Sequence, residues 1–406
     1  MGWEARVQPL RAGQLIKCLC LGGTERQLVE LLGGLDREAV EPRLACLGKH
    51  GELLPAVRAF GIDPPEFPLR GTLLRPNTAM QALRLARWIS GERVSILHCH
   101  DYYSNVLGSC ASWIAGVPWI VSRRDLGAWG GPAHRRLLAV VTRAAPAVLC
   151  NSRAIRDHIV RSEGVLPERV RVIPNGLDLQ RFDRALASPL VSPVPGWRLD
   201  RPVVTLVANL NLAVKGHDDF LLAAAAVHRT LPAVQYLLVG EGERRTAIAA
   251  RARELGLHDV LFFAGYRTDV PALLARSTIA VSSSRSEGLS NAIMEAMAAA
   301  LPVVATAVGG SAELVLDART GFLVPSGDPA SLAARLLTLL RAPDLAAELG
   351  RAGRRRIEGE FSSRRLRDRV TELYREMIEG SRTATARHRG TLVGSDIRSV
   401  PAKRCA

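Results

Sequence analysis

Short apolar runs recur along the chain, separated by longer segments whose apolar residues fall at helical spacing. The runs predict strands at 14–20, 42–47, 94–98, 118–121, 147–150 and 170–173. A second series follows at 203–208, 234–239, 260–264, 278–281, 302–305 and 321–324. Amphipathic segments at 24–35, 76–90, 133–144, 152–162, 216–230, 243–255 and 329–341 predict the intervening helices. Many runs are near-continuous Val, Ile, Leu and Ala, the pattern of strands covered on both faces. Such alternation implies parallel sheets joined by crossover helices.

Twelve strands are many for one sheet, and two six-stranded units are more economical. The break falls near 183–201, where ALASPLVSPVPGWRLDRP is rich in proline and serine and lacks periodicity. The expected fold class is therefore α/β, with one Rossmann-like domain over 1–190 and a second over 200–365. The last periodic segment, 362–379, is amphipathic and arginine-rich. Residues 381–406 show no pattern, and a disordered basic tail is expected there.

Composition changes this picture only at the level of partners. The 406 residues are 48% apolar and 23% charged, ample for two packed cores. A formal net charge of +15 favours nucleic acid, an anionic membrane surface or phosphate-bearing substrates. No zinc finger, RNA-recognition signature or basic zipper accompanies the charge, which speaks against nucleic acid. The triplet Arg354-Arg355-Arg356 reads as a solvated helix face beside Glu358 and Glu360. Seven cysteines, an odd number without a C-x-x-C pair, fit a reducing compartment. Neither a signal peptide nor an uncharged apolar run of about 18 residues is visible. A cytoplasmic protein is expected, with peripheral contact at the inner face of the plasma membrane as an option.

The richest chemistry lies in SSSRSEGLSNAIMEAMAAALPVVAT, residues 282–306. A strand ends near Ser282, a loop carries Glu287 and Gly288, and Ser290 is a good N-cap for the helix that follows. Amides at Leu289, Ser290 and Asn291 then point out of a helix start, a ready site for a diphosphate. Gly288 lets backbone and ligand approach closely. Glu287 lies before the helix, and Glu295 lies about 7–8 Å along the axis from its start near Ser290, at about 1.5 Å per residue. Two acids so placed can accept hydrogen bonds from hydroxyls on both sides of a diphosphate, as in a nucleotide sugar. By themselves, two glutamates eight apart are more often solvated acids beside a helix cap.

The surrounding letters decide between these readings. Glu287, Gly288, Glu295, Ala296, Met297 and Ala298 closely resemble the E-G-x-x-x-x-x-x-E-A-M-A donor motif of family 4 retaining glycosyltransferases. The resemblance extends over roughly 14–375. It includes GGTERQLVELL at 22–32 with Gly23, NSRA at 151–154 and IPNGLD at 173–178. LVGEGE at 238–243 with Gly242, FFAGYRTDVPALL with Gly265, and AVGGSAE at 307–313 continue it in the same order. This resemblance implies the GT-B arrangement, two Rossmann-like domains facing across a cleft, with the terminal helix crossing back onto the first.

It also implies roles. Glu287 would hold the sugar hydroxyls, Glu295 the ribose, and Gly23 would face the transferred sugar. The loop at Gly265 would hold the donor base. Lys215 of VKGHDD would stabilise the departing diphosphate, and His100 of ILHCHDYYSN would meet the sugar, with His98 equally a core histidine. Many members pair the lysine with an arginine a few residues earlier. Here VANLNLAV offers only Asn209 and Asn211, so either an arginine from elsewhere or a neutral hydrogen bond from Asn211 takes that place. No D-x-D motif sits after a donor-site strand, and no metal requirement is expected. Arg123, Arg124 and Asp125 lie at the same cleft edge. The acceptor would be a carbohydrate or lipid-linked hydroxyl, read by loops such as 61–76 and 122–134. Trp129 is placed to stack there, and Arg70, Arg75, Arg84 and Arg87 are placed to face an anionic membrane. The competing reading is a non-catalytic homologue that binds a nucleotide or polyanion.

Overall fold

The computed structural model describes residues 8–70, 73, 75–127 and 131–393. The first domain runs β1 (Leu10–Ile16), α1 (Gly23–Gly34), β2 (Val40–Cys46), α2 (Leu54–Ala59) and α3 (Pro76–Gly91). It continues with β3 (Ile96–Cys99), α4 (Tyr102–Ala115), β4 (Trp119–Arg123), α5 (Pro132–Ala144), β5 (Ala147–Cys150), α6 (Arg153–Glu163) and β6 (Val170–Val172). Helix α7 (Leu179–Leu186) leads to the second series: β7 (Val203–Val207), α8 (His217–Thr230), β8 (Gln235–Val239), α9 (Arg245–Glu254) and β9 (Leu261–Gly265). Next come α10 (Val270–Leu274), β10 (Ile279–Ser282), α11 (Asn291–Ala298), β11 (Val303–Thr306), α12 (Ser311–Leu314) and β12 (Gly321–Val324). Helices α13 (Pro329–Arg341), α14 (Pro343–Glu360) and α15 (Ser363–Val393) complete the described chain.

The strands form two six-stranded sheets, ordered β2-β1-β3-β4-β5-β6 and β12-β11-β10-β7-β8-β9. All named pairs are parallel. Alternation along β3 shows why both faces are apolar: Ile96 joins the cluster under α15, whereas its neighbour Leu97 joins the one under α3 and α4. The strand order reverses between β1 and β3 in one sheet and between β7 and β10 in the other. Ligands bind outside the carboxyl ends of strands at such points, and here both points open on one interdomain cleft.

Packing moves one boundary. Phe182 belongs to the core of the second sheet and Leu177 and Leu179 pack against it, so the chain changes domain near Gly176, one helix before the proline-rich break. Helix α15 crosses back: Leu366, Val370, Leu373 and Tyr374 pack with Ala12, Ile96 and Ile120 of the first sheet.

Two expectations need correction. Strand β1 ends at Ile16, four residues before the apolar run does. Arg11 interrupts the hydrophobic pattern, but its guanidinium sits 2.9 Å from Glu41 on the neighbouring strand, so the charge is tolerated. Residues 381–393 are helical, a continuation of α15 and not a patternless tail. A helix nucleated by packing at its start propagates cheaply through permissive residues. Residues 394–406 lie outside the described chain.

Candidate functional site

The site is built around the start of α11. Ser290 caps it, its Oγ accepting from Ile293 N at 3.4 Å. The first amides of a helix have no intrahelical partner, and here Leu289, Ser290, Asn291 and Ala292 line a cavity of about 240 Å³. The preceding loop is anchored from below. Gly216 adopts φ +67 so closely against the Ser283 carbonyl that an added Cβ would lie 1.9 Å from its oxygen. That turn delivers Lys215, whose Nζ lies 2.7 Å from Glu287 Oε1. Ser284 Oγ donates to the same oxygen at 2.7 Å.

A second cation comes from the other domain. Arg124 follows β4 and lines the same cavity as Lys215. Burial lowers its pKa to about 10, with Glu25 opposing the shift. Its Nη1 donates to Asn175 Oδ1 at 2.9 Å, and its Nε is buried without a partner among the described residues. Its neighbour Arg123 is spent on structure, forming a two-point pair with Glu163 at 2.6 and 2.7 Å.

The upstream stretch resolves differently from the expectation for Asn211. Its Oδ1 accepts from Glu243 N at 2.9 Å and fixes the turn that holds Gly242. Asn209, not Asn211, lines the cavity. Gly242 and Gly265 likewise shape turns, an added Cβ on Gly242 lying 2.4 Å from the Leu210 carbonyl carbon. Gly288 has a further task at the domain interface. An added Cβ there would lie 2.0 Å from the Arg124 carbonyl oxygen, so its bareness admits the opposite domain at the edge of the cavity that it also lines.

Asn291 joins two cavities, because it also lines a neighbouring space of about 310 Å³ with Glu295 and Tyr266. Its Nδ2 donates to Gly23 O at 3.2 Å, and its Oδ1 accepts from Asn175 Nδ2 at 2.8 Å, so this second-domain side chain is held by two groups of the first domain. Glu295 is largely but not fully buried, its side chain 13% exposed, with Arg26 Nη1 at 3.5 Å. Burial raises its carboxyl pKa, and Arg26 offsets part of that rise. Glu287 and Glu295 therefore line two neighbouring cavities that share Asn291 at the helix start. A further domain contact comes from Glu313, whose carboxylate accepts from Arg153 N at 3.0 Å and Ala154 N at 2.9 Å at the start of α6.

At the end of β3 the two histidines part company. His98 is fully bonded, Nδ1 to Tyr374 OH at 2.8 Å and Nε2 to Ser122 Oγ at 2.7 Å. His100 Nε2 lies 2.8 Å from Gln14 Oε1, while its Nδ1 is buried with no partner among the described residues. Gln14 donates through Nε2 to Tyr374 OH at 3.0 Å. Its Oε1 must then accept, so His100 carries its proton on Nε2 and presents a lone pair on Nδ1. Burial, followed by the neighbouring His98 and Arg124, holds the His100 pKa well below the usual range. His98 is lowered to about 3, by burial first and then Arg124. His100 lines a third cavity, of about 280 Å³, together with Arg124, Lys17 and Asp125. Asp101 caps α4 and also accepts from Lys17 N at 2.6 Å. Trp129 lies outside the described residues.

Sequence reasoning brought together Glu287, Lys215, Glu295, Gly23 and the helix start. It left Arg124 unassigned and named Asn209 without placing it in the cavity; it missed Asn175, which lines that cavity, and Gln14 and Tyr374, which are buried behind His100. Among the described residues no helix is long and apolar enough to cross a membrane.

Comparison with known proteins agrees with this architecture. A family model described as Glycosyltransferase Family 4 matches residues 21–181, and one described as Glycosyl transferases group 1 matches 201–342. Alpha-maltose-1-phosphate synthase of Mycolicibacterium smegmatis is 31% identical over 389 residues, covering 88% of this chain and 96% of the relative. An Escherichia coli UDP-Gal:alpha-D-GlcNAc-diphosphoundecaprenol alpha-1,3-galactosyltransferase is 25% identical over 375 residues, covering 88% of this chain and 95% of its own. The structure of Anabaena HepE in complex with UDP and glucose aligns with a TM-score of 0.76 at 20% identity, over 90% of this chain and 99% of that one. Two Rossmann-like domains facing across such a cleft define a glycosyltransferase of GT-B fold. The chain belongs to glycosyltransferase family 4, among the group 1 glycosyl transferases, and is a transferase acting on sugar donors.

Proposed function

We propose that this glycosyltransferase moves a sugar, with retention of configuration and without a metal ion, from a nucleotide diphosphate donor to a hydroxyl acceptor. The observation that carries the reading is the pair of acids, Glu287 and Glu295, in neighbouring cavities that meet at a helix start approached by two cations. HepE, solved with UDP and with UDP-glucose, supports a nucleotide-sugar donor. The galactosyltransferase named for a diphosphoundecaprenol substrate supports a lipid-linked acceptor, and with it a place at the inner face of the plasma membrane.

The diphosphate lies against the amides of Leu289, Ser290 and Asn291, and Glu295 accepts from the ribose hydroxyls. The arriving phosphates draw Lys215 away from Glu287, which frees that carboxylate for the sugar hydroxyls. His100 Nδ1 accepts from a further sugar hydroxyl. As the bond from the anomeric carbon to phosphate breaks, its electron pair goes to the diphosphate, where Lys215 and Arg124 stabilise the growing charge. The acceptor oxygen bonds to the same face of that carbon and passes its proton to a departing phosphate oxygen. Arg124 supplies the cation that the stretch before Lys215 lacks, which weakens the case for a non-catalytic homologue.

The test is a panel of nucleotide sugars assayed for hydrolysis and transfer in excess chelator. Turnover of at least one donor is expected. Lys215→Ala and Arg124→Ala should each lower it about 10²–10³-fold, the scale of a lost charge-stabilising donor. Strict dependence on added metal would overturn the metal-free reading, and full activity in either variant would overturn that residue's role.

A further inference from the structure

Outside the donor cleft, a soft-ligand cluster sits on the loop that follows β1. One ligand atom from each of Cys18, Cys20 and His50 lies within 4.8 Å of the other two. A tetrahedral zinc ion with bonds of about 2.0–2.3 Å separates its ligand atoms by about 3.4–3.8 Å, so small rotamer adjustments close the set.

The backbone holds these side chains in place. Gly48 N donates to Lys17 O at 2.8 Å, Leu19 N to His50 O at 2.9 Å, and Leu53 N to Leu19 O at 2.9 Å. These bonds zip the loop after β1 to the loop after β2. Gly51, at φ +116, lets the second loop lie on the first, an added Cβ being 2.2 Å from the Leu19 carbonyl carbon. Leu19 is buried between the two cysteines, whose sulfurs both lie close to the His50 ring. An added Cβ on Gly48 would lie 2.6 Å from His50 Cε1, so the missing side chain makes room for the imidazole. By contrast, Cys99 and Cys150 lie within apolar clusters.

We propose that Cys18, Cys20 and His50 form a zinc-binding site that clips these two loops together. Two thiolates and one imidazole nitrogen fill three tetrahedral positions, and the fourth is open to water. Each thiol releases its proton to solvent as its metal–sulfur bond forms. The clip lies three residues before Gly23, which lines the donor cavity, but it takes no part in the transfer.

The test uses the full chain, stripped with chelator and titrated with Zn²⁺ against a chromophoric competitor. One Zn²⁺ per chain is expected, and Co²⁺ in its place should show thiolate-to-cobalt charge-transfer absorption. His50→Ala, at an exposed position where folding is safe, should weaken binding at least about tenfold. The double variant C18S/C20S should abolish binding and the absorption, and Cys110→Ser, at another exposed cysteine, should leave both unchanged. Absence of binding to the wild type, unchanged affinity in His50→Ala, or loss in Cys110→Ser would each overturn the proposal. None of these readouts depends on sugar transfer.

Discussion

Among single residues, Glu295 shows most plainly that the site is built at the expense of stability. Burial raises its carboxyl pKa, so across a window of pH the folded chain keeps a proton that the unfolded chain has lost. Stability therefore falls as pH rises from the ordinary glutamate value, about 4.3, through the raised folded value, and the penalty is constant above it. Glu295→Gln removes the penalty. The variant should melt above the wild type at pH 8, with the gap closing near pH 4, as read by thermal unfolding at both values. Its donor KM should rise about tenfold or more, since a hydrogen bond to a charged acceptor contributes about 1.5–3 kcal/mol. A variant with unchanged KM would remove Glu295 from the donor site. Glu295 was legible in the sequence because its whole motif is local. Arg124 was visible only as one of two adjacent arginines, and nothing local says that Arg123 turns to Glu163 while Arg124 turns to the cleft.

The strands of the second domain were legible to within a residue, because strands buried on both faces read as uninterrupted apolar runs. Helix α4 was not. Its sequence YYSNVLGSCASWIA carries small and polar residues at buried positions, among them Ser104, Asn105 and Ser112, so no amphipathic period exists to read. Helix α15 was legible as a helix, but what it does at the cleft was not. It brings Tyr374 into a buried network with His98 and Gln14, and through Gln14 to His100. Tyr374 is thus a positioning residue that, by orienting Gln14, fixes which nitrogen of His100 carries the proton. Tyr374→Phe leaves Gln14 free to flip and His98 without its partner. The expected result is a stability loss of about 1–3 kcal/mol, as for an unsatisfied buried polar group, together with a fall in kcat at little-changed donor KM. A purely structural tyrosine would lower stability alone, so kinetics at a temperature well below unfolding separate the two roles.

Across the whole molecule, the two domains meet on backbone as much as on side chains, and that contact can be tested by itself. Gly288 is not among the glycines at positive φ, so alanine fits its local backbone. The obstacle to a methyl group there is the Arg124 carbonyl of the opposite domain, 2.0 Å from the built Cβ, with Asn151 Oδ1 at 3.2 Å. Gly309→Ala is the natural control. Its glycine has φ +50, and its Cβ would lie 1.8 Å from the Glu287 carbonyl oxygen within the same domain. Gly309→Ala should therefore destabilise the second domain, because strain and clash are both internal. Gly288→Ala can relieve its clash by a hinge opening near Gly176, at little loss of unfolding stability. Opening the cleft separates Arg124 from the Lys215 side of the cavity and admits water, so turnover should fall while each domain stays folded. Small-angle scattering checks this directly. The wild type should be compact with bound nucleotide, and Gly288→Ala should stay expanded at the same nucleotide concentration. If the variant were as compact and as active as the wild type, closure would not depend on this contact.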